Sequence, residues 1–492
     1  MKVDKLRKLI AAMSKNEKRY FKIYAEAYRS GDNNSVRLFD LVEGGMNDDD
    51  LKNEILKYSN NANLSSHKNY LFELLLESLF ECHSADDIET QLFRKIKYAD
   101  QLRSKGLYKE AIELCKDAKE EANAKADYVF SGMAALKQRE IHIASWADLD
   151  EQIEVMNNEL YDYLRKLKNK EQYRLLWYQI NRDINNKMFV SYNDNLIDLF
   201  KHYINHKMLN NEKYAIAPIS KVLYNLINGL IQKDILNNNP KSISFTKAAI
   251  NYFDEDRELL DGNQRDYIVA VSNYFFPILF TKNKSLFYRE FEFYQNKIAE
   301  LKSLKPHLLN MFTKNMLVFK TAAHCVFADI TDVSKVMKEN KATIQLMLQS
   351  GPKGAYVINL HFGYLYFLVK DYKNSIKHLG QILNNKDSFK RAGDFRPEIL
   401  QIMSFYDKGD ELFAQKLLTE FKDTYLSNPD FANKTIETFC PLMEGLLKSK
   451  KETKLVALKK TLPIFKNIEG VDYHSSGLYP LSIARWIESK IK

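Results

Sequence analysis

Asp194, Asp198, His202 and His206 recur at every fourth residue. On a helix that spacing lines carboxylates and imidazoles along one stripe, the arrangement a divalent metal would need. The apolar residues of the same stretch, Leu196, Leu199, Phe200 and Tyr203, lie mostly on the opposite face. The stripe is therefore expected in solvent, with no outer shell to orient its ligands. A second candidate is the neighbouring pair His324 and Cys325, which invites a thiolate–imidazole reading. Adjacent helical residues point about 100° apart and do not face each other. Inside the apolar run TAAHCVFAD the pair reads as a core cysteine beside a core histidine. Clustered carboxylates occur at NDDD, residues 47–50, where helix capping accounts for them. No GxGxxG, P-loop, HExxH or GxSxG motif is present. The sequence thus predicts no catalytic residue, no metal site and no cofactor, and a protein that is not an enzyme.

Composition points to what the chain is built for. Its 492 residues exceed what one compact core usually holds, so several domains or a repeat array are expected. A hydrophobic share of 45%, with 12% aromatic, supplies ample core. With 16 Gly and 10 Pro there are few hard breaks, which favours helices joined by short turns. The net charge of +9 comes from 73 basic and 64 acidic residues, a mild excess that permits a polyanionic partner without requiring one. Cys82, Cys115, Cys325 and Cys440 are scattered with no CxxC pair, and read as reduced thiols of a cytosolic protein. The basic start MKVDKLRKLIAAMSKNE has too short an apolar run for a secretory signal, and the stretch of the chain that comes nearest to a membrane span, YFFPILF at 274–280, falls well short of one. A cytoplasmic protein with no membrane partner is expected.

Residues 1–90 read as a separate helical domain. Ser14 and Glu17 have capping-box spacing ahead of Tyr20, Phe21, Ile23 and Tyr24. A second helix opens on Asp48, Asp49, Asp50 and Glu54, and a long one runs from about Leu64 to Cys82. From residue 91 the pattern is helix, turn, helix to the end, with second-helix starts near 107, 148, 191, 240, 284, 331, 372, 410 and 452. A closing helix is expected around 477–491. Pro218 and Pro277 fall inside presumed helices and predict early starts or kinks there.

The stretch Leu92–Asn123, LFRKIKYADQLRSKGLYKEAIELCKDAKEEAN, resembles a tetratricopeptide (TPR) repeat. Tyr98, Ala99 and Leu102 mark the inner face of its first helix and Gly106 breaks it. Tyr108, Ala111, Ile112, Cys115 and Ala118 recur along the second. Residues 356–385 resemble a further repeat through Phe362, Gly363, Tyr366, Tyr372, Ser375, Leu379 and Ile382. KGDELFAQKLL at 408–418 keeps Gly409 and Ala414. Between 127 and 350 only the helical period persists, and HEAT-like pairs are the structural alternative. The whole chain resembles bacterial TPR-containing proteins whose helical N-terminal domain opens on a phrase like SKNEKRYFKIYA. The resemblance implies an all-α chain, a TPR-like α-solenoid over 91–492 with a C-terminal capping helix, preceded by the helical domain of 1–90.

It also implies a function, a scaffold that binds a protein or peptide on the inner surface of the array. By the same resemblance the partner-binding positions of the first repeat are Phe93, Ile96, Asp100, Arg103 and Ser104. In the repeat at 356 they fall on Val357, Leu360, Tyr364, Phe367 and Leu368, which are too apolar to stay bare: a partner or neighbouring helices must cover them. The alternative is a regulator whose residues 1–90 contact nucleic acid, with Ser65, Ser66, His67, Lys68 and Asn69 opening a recognition helix. The acidic helix before it and the apolar run LFELLLESLF after it argue against that reading.

Overall fold

The computed structural model describes residues 5–28, 33–57, 63–84, 87–145, 150–187, 196–301, 304–384, 394–427, 434–471 and 479–491. Among them the chain is all-α, with 27 α-helices, one short 3-10 turn and no strand. It divides into two compact units, one of Met1–Asn123 and Val129–Tyr161, the other of Ala124–Tyr128 and Asp162–Lys492. The first unit therefore reaches beyond residue 90 and takes in the Leu92–Asn123 helix pair.

The first unit is built from α1 (Lys5–Ala12), α2 (Lys15–Tyr28), α3 (Asn33–Glu43), α4 (Asp48–Leu56), α5 (Leu64–His83), α6 (Ile88–Ser104), α7 (Tyr108–Ala124), α8 (Tyr128–Ser145) and the start of α9 (Asp150–Lys187). The capping box forms as expected: Ser14 N donates to Glu17 Oε2 at 2.6 Å, and Glu17 N donates to Ser14 Oγ at 3.3 Å. Asn47 Oδ1 caps α4 by accepting from Asp49 N and Asp50 N at 3.1 and 3.0 Å. α1 to α5 bury Leu6, Ile10, Phe21, Phe39, Leu51, Ile55 and Leu71 in one core. Burying each such side chain contributes about 1.5–3 kcal/mol before chain entropy is counted. Lys119 ties the later helices together, donating to Gln138 Oε1 at 3.0 Å on α8 and to Glu159 Oε2 at 2.7 Å on α9.

The second unit continues with α10 (Leu196–Leu199), α11 (Lys201–Ile204), α12 (Lys207–Asn210), α13 (Pro218–Asp234), α14 (Asn239–Glu255), α15 (Arg257–Gly262), α16 (Gln264–Phe280), α17 (Lys284–Ala299), α18 (Pro306–Phe327), α19 (Val333–Glu339) and α20 (Lys341–Gln349). It closes with α21 (Pro352–Leu368), α22 (Tyr372–Leu383), α23 (Arg396–Lys408), α24 (Glu411–Tyr425), α25 (Lys434–Lys448), α26 (Lys451–Val471) and α27 (Ile483–Ile491). Helices pack on near neighbours in the chain: α13 on α14, α14 on α16, α16 on α18, α18 on α21, and then each on the next from α21 to α27 save the step from α24, which meets α25 more lightly. Pro218 starts α13 as its first helical residue, where a missing N–H is harmless. Pro277 sits in the last turn of α16, which ends at Phe280. At Gly363 a Cβ would lie 3.1 Å from Leu379 Cδ2, so the glycine sets how closely α21 and α22 approach.

Candidate functional site

The α6–α7 pair is held by small residues. Ala99, Ala111 and Cys115 are fully buried together with Ile141, and Gly106 takes φ +76° in the α6–α7 turn, a conformation that favours glycine. Burial raises the Cys115 thiol to about 11, so it is a packing group. The buried stripe of α6 is Leu92, Ile96 and Ala99. This corrects two expectations. Ile96 is 4% exposed and packs with Leu92, Ala118, Ala122 and Ala134, so it is unable to meet a partner. Tyr98 faces outward at 51% exposure, because it stands 200° around the helix from Ile96.

The other four positions reach the surface. Phe93 is 43% exposed, with Lys97 Nζ 5.4 Å from its ring centroid. Ser104 is exposed and donates to Gln101 O at 2.7 Å. Asp100 Oδ1 lies 3.5 Å from Arg103 Nη2 and 3.1 Å from Lys137 Nζ on α8. Lys137 in turn meets Glu140 Oε2 at 2.7 Å. Glu140, then Asp100, hold the ammonium above its ordinary range, against some desolvation. A polar strip of alternating charge thus runs from Arg103 through Asp100 and Lys137 to Glu140, joining the faces of α6 and α8. Arg103 Nε, shielded from solvent, has no hydrogen-bond acceptor.

α8 adds residues that sequence reasoning did not select. Val129, Met133, Leu136 and Ile143 are 50, 39, 38 and 49% exposed. With Glu140 they follow at steps of four, three, four and three, one continuous stripe along about 21 Å of helix. That periodicity was visible in the sequence, but there it reads equally as a core face.

In the second unit the inner-face positions of α21 are closed over. Leu360, Tyr364 and Phe367 are buried in one core with Leu481, Ile483, Trp486 and Ile487. Ser482 N donates to Tyr364 Oη at 3.1 Å. Arg485 donates to Cys325 O at 2.9 Å and Val326 O at 2.6 Å, two carbonyls at the C-terminal end of α18 that no helical N–H reaches. Trp486 Nε1 donates to Asp407 Oδ2 at 3.0 Å on α23, and Glu469 of α26 accepts from Ser482 Oγ and Ala484 N at 2.6 and 2.9 Å. Of the two coverings the apolar positions required, the chain's own C-terminal helix is the one present.

The remaining candidates do not assemble. Asp194 lies outside the described residues, and Asp198 in α10, His202 in α11 and His206 at the N-cap of α12 do not share one helix stripe. His206 Nδ1 instead accepts from Met208 N at 3.3 Å, and the His202 ring lies tilted against Tyr203 with centroids 3.9 Å apart. Among the described residues no cluster of three or more His, Cys, Asp or Glu could hold a metal. Cys325 is fully buried, which pushes its thiol far up, while His324 Nδ1 turns to Asp329 Oδ1 at 2.7 Å. In the N-terminal helices Arg7 and Lys68 both reach Asp48, at 3.0 and 2.8 Å, and Lys22 pairs with Asp40 at 2.7 Å. Ser65, Ser66 and Asn69 at the start of α5 are exposed. No helix among the described residues is long and apolar enough to cross a membrane.

No family model matches the chain, and no solved structure matches it. Part of it is similar to UPF0421 proteins from two strains of Staphylococcus epidermidis, each 35% identical over 114 residues. That match covers 23% of this chain and 32% of each relative, so the chain spans about a third of the length of the relatives it matches.

Proposed function

We propose that the chain is a TPR-like scaffold of the cytoplasm, without chemistry of its own, and that a protein or peptide docks on the joined face of α6 and α8. The observation that carries this reading is the pairing of Asp100 with Lys137. It joins α6, which carries the exposed Phe93, to α8, whose exposed Met133, Leu136 and Ile143 lie along the same stripe as Glu140. An amphipathic partner helix suits such a face, with anchors at spacings of three and four on the apolar stripe and an acidic group for the 41% exposed Arg103 side chain.

The test is capture of a partner by the full chain, followed by its affinity for the Phe93→Ala, Arg103→Glu double variant. Buried aromatic and arginine anchors contribute about 2 kcal/mol or more each, so binding should weaken by at least about tenfold. Circular dichroism verifies that the variant is folded. A folded double variant that binds the same partner with unchanged affinity overturns the assignment of this face.

A further inference from the structure

α9 carries a second exposed stripe, and its order of residues is self-complementary. Tyr161, Leu164, Lys168, Glu171, Leu175 and Tyr178 follow at steps of three, four, three, four and three, and all are exposed. The four apolar ones are 65, 48, 57 and 59% exposed, high values for large side chains on one face of one helix. The opposite face buries Tyr173, Leu176, Ile180 and Ile184 in the core of the second unit. Steps of three and four are those of a coiled-coil seam.

The stripe reads the same reversed. About a midpoint between residues 169 and 170, Leu164 mirrors Leu175, Tyr161 mirrors Tyr178, and Lys168 mirrors Glu171. We propose that this face of α9 pairs antiparallel with the same face of a second copy of the chain. In that register leucine meets leucine and tyrosine meets tyrosine, and each Lys168 meets a Glu171 of opposite charge. A parallel pairing would instead set Lys168 on Lys168 and Glu171 on Glu171, so charge selects the antiparallel arrangement. It is also the one a two-fold axis across the helix generates, the commonest symmetry of a homodimer. Lys168 makes no ion pair among the described residues. Glu171 meets Arg174 at 3.7 Å on the same helix, an exposed contact that leaves the carboxylate accessible. The apolar contact is short, so the dimer forms at a concentration set by a modest affinity.

Sedimentation equilibrium of the full chain tests the proposal. The mass should rise from 57.6 kDa toward twice that value as concentration increases. Lys168→Glu and Glu171→Lys should each weaken association by about tenfold or more, and the double exchange should restore it. In a Cys82→Ser background, mixed Leu164→Cys and Leu175→Cys chains should cross-link. Leu164→Cys alone should not, since its two copies stand about 17 Å apart along the seam. A chain that stays monomeric at all concentrations, a dimer indifferent to both single charge changes, or cross-linking by Leu164→Cys alone overturns it.

Discussion

Trp486→Ala is expected to destabilise the second unit by about 3–5 kcal/mol, the usual cost of removing a large aromatic from a packed core. Trp486 is 3% exposed and sits among Leu481, Ile483 and Ile487 in the same core as Tyr364 and Phe367. Its removal leaves a cavity beside Tyr406 of α23 and strips Asp407 Oδ2 of the indole N–H that donates to it at 3.0 Å. Arg485→Ala should act in the same direction, since it frees the carbonyls of Cys325 and Val326 without a substitute donor. Urea unfolding followed by far-ultraviolet circular dichroism measures both. A loss below about 1 kcal/mol for Trp486→Ala would mean that the C-terminal helix adds little to this core.

Acid should unfold the second unit well above the range where carboxylates titrate. His361 is 4% exposed, shares a hydrogen bond with Thr321 Oγ1 at 2.8 Å, and is brought by burial to about 3. Burial takes His378 to about 4, and lowers the half-buried His206 as well. The unfolded chain binds these protons from about pH 6.5 downward, whereas the folded chain does not. Stability is therefore full above that value and lost as pH falls toward the folded-state values. For His361 alone the loss at pH 5 is roughly 2 kcal/mol. Asp394, which Arg396 and Tyr356 hold below the usual carboxylate range against burial, adds its loss only below about pH 4. Glu469 acts the other way: burial raises it, so its contribution is present in acid and fades as pH rises. The interval between pH 6.5 and 5 thus belongs to the histidines. His361→Gln keeps a polar partner for Thr321 and removes the titration, so the drop in urea midpoint between pH 7.5 and 5.0 should shrink. An undiminished drop would assign the acid sensitivity to other groups.

Helix boundaries were legible where a turn residue and an apolar period coincide. Second helices expected near 107, 240, 284, 372, 410 and 452 begin at Tyr108, Asn239, Lys284, Tyr372, Glu411 and Lys451. Gly106 and Gly409, both at positive φ, and the capping aspartates Asp371 and Asp410 mark three of them. The start near 191 lies outside the described residues. The rotation of each helix was less legible. On α6 a shift of two residues in phase decides whether Ile96 or Tyr98 points inward, and both are large and apolar enough for either place. Nor does periodicity tell a core stripe from an exposed one. Val129, Met133, Leu136 and Ile143 have the spacing of a buried face, and only the packing of α8 leaves them in solvent. The closing of α21 by α27 depends on contacts such as Ser482 to Tyr364, 118 residues apart, which no local pattern encodes.

A partner on the joined face of α6 and α8 would slow amide exchange there, as the proposed function requires. Hydrogen–deuterium exchange of the full chain with and without a captured partner tests it most directly. Protection should concentrate on residues 93–104 and 129–143, and be lost with Arg103→Glu. Protection confined to other helices, with these two segments exchanging as in the free chain, would contradict the account.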